Sequence, residues 1–99
     1  MLCLNRANFL IQRVCISSGG RAGTVVDAKL VFGRALELKA SSIILAHNHP
    51  STNLQPSQAD RELTKKLYQA GQQLDLPLLD HLIITEQGYY SFADEGQMS

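Results

Sequence analysis

The sequence predicts an α/β sandwich with a mixed β-sheet, in the order β-β-α-β-α-β-β. Three observations support this prediction. A short, β-branched apolar run at 42–46 is typical of a buried central strand. Apolar residues recur at helical spacing on both sides of that run, and strand-like segments bounded by turn residues occupy both ends of the chain. The 99 residues are enough for one hydrophobic core, so we expect a single domain over 1–99.

The first half of the chain is predicted to contain two strands and a helix. Residues 1–4 are apolar and begin abruptly, so we expect a truncated first strand. Residues 5–8 form a turn, because Asn tolerates turn geometry, and residues 9–16 alternate as a second strand. A glycine-rich loop is expected at 17–24 and a helix at 27–40. The buried stripe of that helix is predicted to be Val31, Ala35 and Leu38, supported by Phe32 and Leu36.

The second half of the chain is predicted to contain one further helix and two strands after the central strand. Residues 50–56 are expected to form a loop and residues 57–73 the second helix. The apolar residues expected to be buried on this helix are Ala59, Leu63, Leu67 and Ala70. A strand over 78–85, a tight turn at 86–88 and a closing strand over 89–92 complete the predicted sheet.

The charge balance argues against nucleic acid as the direct partner. Nine basic and nine acidic residues cancel. A protein that binds phosphates usually shows a basic surplus or a clustered basic face. The adjacent pair Lys65-Lys66 falls on a predicted helix, where we expect it to form a solvated face.

The composition predicts a cytoplasmic protein that does not enter a membrane. No apolar run approaches the ~20 residues of a bilayer-spanning helix, and the amino terminus lacks the pattern of a secretory signal. Cys3 and Cys15 lie in apolar, strand-like segments and are expected to be reduced, buried thiols. Two zinc-binding thiolates are the alternative, but the eleven residues between them match no usual zinc-site spacing.

Three side chains, His47, His49 and Asp60, predict a divalent-metal site. Both histidines follow the central strand, and residues i and i+2 of an extended chain point the same way, ~6.6 Å apart at Cα. Asp60 lies in the first turn of the second helix, after a loop long enough for that helix to fold back over the strand end. Two imidazole nitrogens and one carboxylate oxygen suit zinc and leave a fourth tetrahedral position open, as in catalytic sites.

Two polar pairs also have structural interpretations. Ser57-x-x-Asp60 after Pro56 is an ordinary helix amino terminus, with Ser57 as the cap and Asp60 favoured by the helix dipole. The capping and ligand roles of Asp60 are compatible. Asp80 and His81 either orient a metal ligand from behind or form hydrogen bonds to the backbone at the start of a strand.

His47-x-His49-Pro50 followed by Ser57-x-x-Asp60 resembles the metal-binding signature of the MPN/JAMM metallopeptidases. More narrowly, the chain is similar to the RadC family, whose members have long been labelled DNA repair proteins. Further matching segments are Leu79-Asp80-His81-Leu82-Ile83, Ser91-Phe92-Ala93, Gly23-Thr24 and Ala35-Leu36-Glu37-Leu38. The resemblance covers essentially the whole chain and implies a cytidine-deaminase-like α-β-α sandwich with a mixed sheet.

The resemblance implies a role for each matching residue. His47, His49 and Asp60 would bind Zn²⁺, and Ser57 would contact the attacking water and the oxyanion. The substrate would be a peptide or isopeptide bond, with zinc activating the water and the scissile carbonyl. Association with DNA repair proteins is a further implied partnership, and we also expect a homodimer through the uncovered edge of the first strand.

One feature of the family is missing from the pattern. The general-base glutamate of the family lies a few residues before the segment matching Met1 to Leu4, so we expect this chain to lack it, along with a helical amino-terminal segment. The glutamates present are Glu37, Glu62, Glu86 and Glu95, none of them in the first strand. A metal-containing binding module without catalysis and a metal-dependent nuclease are therefore alternative functions.

Overall fold

The computed structural model describes residues 1–16, 26–49 and 53–98. Its elements follow the predicted order and confirm an α/β fold with a mixed sheet. They are β1 (Leu2–Leu4), β2 (Leu10–Arg13), α1 (Ala28–Glu37), β3 (Ser42–Asn48), α2 (Gln58–Gln73), β4 (Leu78–Thr85) and β5 (Gly88–Ser91). The predicted glycine-rich loop over 17–24 and residues 50–52 of the second predicted loop lie outside the described ranges.

The described strands form one sheet in the order β2-β1-β3-β4-β5. β3 and β4 run parallel in its middle, and the other neighbouring strands are antiparallel. The expectation of an uncovered edge on the first strand is wrong, because Leu2 of β1 pairs with Arg13 on one side and with Ile44 on the other. The edge strands among those described are β2 and β5, and the expected homodimer stays a prediction.

The position of β2 at the sheet edge explains two further departures from prediction. β2 is four residues long rather than eight, and all four are exposed. Cys15, beyond its end, is exposed as well, so the expectation that both thiols are buried is wrong for Cys15 and confirmed for Cys3 in the central β1. In the described ranges, neither helix has the length and apolar character to cross a membrane.

The hydrophobic core joins the inner strands to both helices. Its buried residues are Cys3, Val31, Phe32, Ala35, Ile43, Leu45, Leu67, Leu76 and Leu78. Val31 and Ala35 were predicted as core residues of α1 and are confirmed. Leu36, predicted to support them, is 56% exposed. Its neighbour Leu38 is half-buried at the carboxyl end of the helix.

The buried face of α2 is rotated relative to the prediction. Leu67 is buried as expected, but Ala59 is exposed and Leu63 and Ala70 are only half-buried. The fully buried residues are Thr64, Leu67 and Gly71, at i, i+3 and i+7. A Cβ at Gly71 would lie 2.6 Å from the Leu76 carbonyl oxygen, so the close return of the chain requires glycine there. This rotation places Thr64, rather than the expected Leu63, on the buried face of the helix.

Candidate metal centre

The carboxyl end of β3 places the two histidines. His47 lies within β3, and the backbone N–H of His49 donates to the Ile84 carbonyl at 3.0 Å, which extends the pairing with β4. Side chains alternate along an extended chain, and Asn48 between them is exposed. The His47 and His49 ring centroids lie 5.1 Å apart. The predicted convergence of the two rings is confirmed.

Asp60 reaches the same point from the first turn of α2. Its Oδ1 lies 3.2 Å from His47 Nε2, and its Oδ2 lies 3.0 Å from His49 Nε2. One ligand atom from each residue falls within 4.8 Å of the others, and no other such group of three occurs among the residues that the structure describes. Two imidazole nitrogens and a carboxylate oxygen, all facing one point, are a donor set that fits a divalent metal ion.

Ser57 and Asp60 form a complete capping box at the start of α2. The Asp60 N–H donates to Ser57 Oγ at 3.0 Å, and the Ser57 N–H donates to Asp60 Oδ2 at 2.8 Å. The predicted cap is thus confirmed, and the same carboxylate faces both histidines. Capping therefore holds Asp60 in the orientation that the cluster requires.

The electrostatics favour an ionised aspartate beside a neutral histidine. Burial lowers the pKa of His47, and the nearby His49 lowers it further. The Asp60 carboxylate acts in the opposite direction but does not cancel the effect of burial. Burial alone would raise the pKa of Asp60, but hydrogen bonds from the Ser57 backbone and side chain, together with the two histidines, bring it below its ordinary value. A neutral imidazole and a carboxylate are the protonation states in which both groups bind metal.

Each histidine is also held by its second ring nitrogen. His49 Nδ1 lies 3.3 Å from the Asn53 carbonyl oxygen, to which it donates as N–H. His47 Nδ1 lies 2.9 Å from Nε2 of His81, on the neighbouring β4. Metal-binding histidines usually have such a partner, which fixes the ring orientation and the tautomer.

The structure separates the Asp80-His81 pair into two roles. Asp80 accepts hydrogen bonds from the His81 and Ala93 N–H groups and from Ser91 Oγ, so its role is structural. His81 is fully buried and its ring contacts His47, so it belongs to the candidate site. Sequence reasoning missed Thr64, which contacts the His81 ring. Its position four residues after Asp60, on the same helix face, was the available signal.

None of the four glutamates of the chain belongs to the cluster, and all of them are exposed. Glu37 pairs with Arg34 at 2.9 Å on α1, and Glu62 accepts a hydrogen bond from Gln58 at 3.4 Å. Glu86 and Glu95 lie near the two ends of the β5 segment. The described residues therefore supply three metal-ligand candidates and no glutamate beside them.

Acid is expected to destabilise the metal-free protein. Burial, and secondarily the proximity of His47, lowers the pKa of His81 to about 4, against ~6.5 in an unfolded chain. The unfolded state then binds more protons between these values, so stability falls as pH drops through that window. The loss from His81 alone is on the order of 2 kcal/mol between pH 7 and pH 5. Urea unfolding in chelator at both pH values measures it, and equal stability at both would contradict it.

Comparison with known proteins agrees with this geometry. The family described as the RadC-like JAB domain matches residues 1–97. A UPF0758 protein of Flavobacterium johnsoniae is 56% identical over 97% of this chain and 42% of its own length. UPF0758 protein YfjY of Escherichia coli is 45% identical over 97% of this chain and 60% of its own. The chain thus spans about 40 to 60% of the length of these curated relatives. It belongs to the RadC-like JAB domain family.

Proposed function

We propose that this domain is the metal-binding part of a zinc-dependent hydrolase of the JAMM type, acting on a peptide or isopeptide bond. The observation that supports the proposal is the convergence of His47, His49 and Asp60, whose ligand atoms lie within 4.8 Å of one another. Three protein ligands are the usual number in catalytic zinc sites, whereas structural sites usually have four. The nitrogen-rich donor set also favours zinc over magnesium or calcium, which prefer oxygen ligands.

The residues around the cluster would prepare it for hydrolysis. A zinc ion held there would supply Lewis-acid activation of a water molecule and of the scissile carbonyl group. Asp60 is held as a carboxylate by the Ser57 N–H. Ser57 Oγ accepts from the Asp60 N–H, and its hydroxyl proton hydrogen-bonds to the Asp60 carboxylate. Rotation of the hydroxyl on substrate binding would let that proton donate to a substrate oxygen that gains negative charge. This would be the catalytic contribution of Ser57.

A second candidate function is a metal-containing binding module within a DNA repair or recombination complex. It is favoured by one observation, the absence of a glutamate from the cluster among the described residues. Without a proton-transfer group, a metal site of this kind would serve shape or partner binding rather than turnover. A nuclease has weaker support, because the formal charge of the chain is zero.

The deciding experiment uses a full-length protein containing this domain. Its metal content is measured after gentle purification, and it is then assayed on a lysine isopeptide, a linear peptide and single-stranded DNA. The proposal expects zinc, cleavage of an amide substrate, and loss of both in the Asp60→Ala variant. Bound zinc without any turnover would support the binding module, and cleavage of DNA alone would support the nuclease.

Substitutions of Ser57 separate its capping role from its proposed catalytic role. Ser57→Ala removes the acceptor for the Asp60 N–H and is expected to cost ~1 kcal/mol of stability. Ser57→Asn keeps a capping oxygen but removes the hydroxyl proton, so stability should largely return while activity of the full-length enzyme stays low. Chemical denaturation and the amide assay measure the two effects. Wild-type activity in Ser57→Asn would leave only the capping role.

A further inference from the structure

His81 is buried behind the cluster, away from solvent, and contacts one of the three predicted metal ligands, His47. None of its surface is exposed, and its ring stacks on Phe92 at 4.9 Å with 6° between the planes. A buried imidazole needs a partner for each nitrogen. Nε2 has His47 Nδ1 at 2.9 Å, and Nδ1 has the hydroxyl of Thr64.

An irregularity in the sheet gives His81 this orientation. Leu78 and His81 are both buried although they are three residues apart, a spacing that regular alternation would put on opposite faces. The register between β3 and β4 shifts between Ile43 and Ile44, whose partners are Leu78 and Asp80. The extra residue turns His81 to the same side as His47, as β-bulges near functional sites often do.

The hydrogen bonds have one consistent direction. Thr64 has a single hydroxyl proton and lies 2.8 Å from the Asp60 carbonyl oxygen, which can only accept. The lone pairs of Thr64 Oγ1 are then left for His81, so His81 Nδ1 carries the proton of a neutral imidazole. His81 Nε2 is consequently an acceptor, and His47 Nδ1 donates to it. This leaves His47 Nε2 with a lone pair directed at the cluster.

We propose that His81 is a positioning residue for His47: it holds the His47 ring and keeps its proton on Nδ1, so that Nε2 is free to bind a metal ion. The inference rests on the proposed function, because it assigns a role relative to that metal site. The same hydrogen bonds also connect two of the predicted metal ligands, Asp60 and His47. Asp60 joins to Thr64 through its carbonyl, Thr64 to His81, and His81 to His47, whose Nε2 faces the Asp60 carboxylate again. The closed chain couples the position of α2 to the orientation of His47.

The test combines zinc affinity with the tautomers of the histidines. Zinc is titrated in competition with a chromophoric chelator, and ¹⁵N-imidazole NMR reads which ring nitrogen carries hydrogen, with and without zinc. The variants are His81→Leu, which removes the acceptor, His81→Gln, whose amide oxygen can replace it, and Thr64→Val, which is nearly isosteric. Ser91→Ala is the control, because it removes a part-buried hydrogen bond to Asp80, and Ser91 is not a member of the hydrogen-bond chain from Asp60 through Thr64 and His81 to His47.

We expect His81 to be protonated on Nδ1 alone and His47 on Nδ1 in the zinc-bound wild type. His81→Leu should weaken zinc binding ~10- to 100-fold, and His81→Gln should recover much of that loss. Thr64→Val should weaken zinc binding and raise the share of His81 protonated on Nε2, a result that stands even if His81→Leu does not fold. Ser91→Ala should lose stability but not zinc affinity.

Three results would overturn the inference. Zinc binding by wild type with His81 protonated on Nε2 would contradict the hydrogen-bond direction. Equal zinc affinity in wild type, His81→Leu and Thr64→Val would show a structural role only. A wild-type protein that binds no zinc would remove the proposed function itself, and the inference with it.

Discussion

Zinc at 100 times its dissociation constant is expected to raise the melting temperature of this chain by about 10–20 °C. The fold already brings His47, His49 and Asp60 together, so the ion should bind the native state and have no comparable site in the unfolded chain. At that excess the stabilisation is ~2.7 kcal/mol. Affinity should decline in acid, because protonated histidine does not bind metal. Burial lowers the pKa of His47, so protonation of that ring should weaken binding only below the ordinary histidine value of ~6.5.

Substitutions at the carboxyl end of β3 and just beyond it give this prediction a matched control. His49→Ala removes one predicted ligand and should abolish the zinc-induced rise in melting temperature. Asn48→Ala changes the neighbouring residue, which is exposed and lies between the two histidines, and it should retain the full rise. Differential scanning calorimetry with and without zinc measures both. A melting curve that zinc and chelators leave unchanged, with no zinc in the purified protein, would refute the metal site.

The candidate ligands could be predicted from the sequence because their signals are local. His47 and His49 are two residues apart at the end of an apolar strand, a spacing that by itself aims both rings to one side. Asp60 belongs to a capping box whose sequence pattern spans four consecutive residues. The observed start of α2 follows directly from that cap. Short-range geometry therefore suffices to predict most residues of the cluster without its tertiary contacts.

The support behind the cluster could not be predicted because it depends on tertiary packing. His81 lies 34 residues from His47 in sequence and 17 from Thr64. Its orientation depends on the register shift between β3 and β4, and no turn residue in the sequence indicates that shift. The buried face of α2 likewise follows its packing on β4, with Thr64 replacing the expected Leu63. A polar residue inside an apolar stripe was the clue, and its partner could be found only in three dimensions.

Under the proposed function, hydrolysis of an isopeptide by this 99-residue chain is expected to be ~100- to 10,000-fold slower than by a chain extended upstream to include the general-base glutamate that the resemblance implies. That range is the usual contribution of a positioned general acid–base group. The cluster contains one carboxylate, Asp60, which accepts from the Ser57 N–H and faces both histidines. A group with these contacts is poorly placed to take a proton from a water molecule as well.

The comparison requires a chain extended by roughly ten to twenty residues, enough to complete a typical strand. Zinc content must be equal in both chains, so that only proton transfer differs, and replacement of the upstream glutamate by glutamine should return the longer chain to the rate of the shorter one. If both chains hold zinc and neither turns over, the binding module is the better description. Turnover by the short chain at the rate of the longer one would mean that another group accepts the proton. Asp60 would then be the first residue to test at matched zinc content, since Asp60→Asn preserves the oxygen that accepts from the Ser57 N–H while it removes the charge.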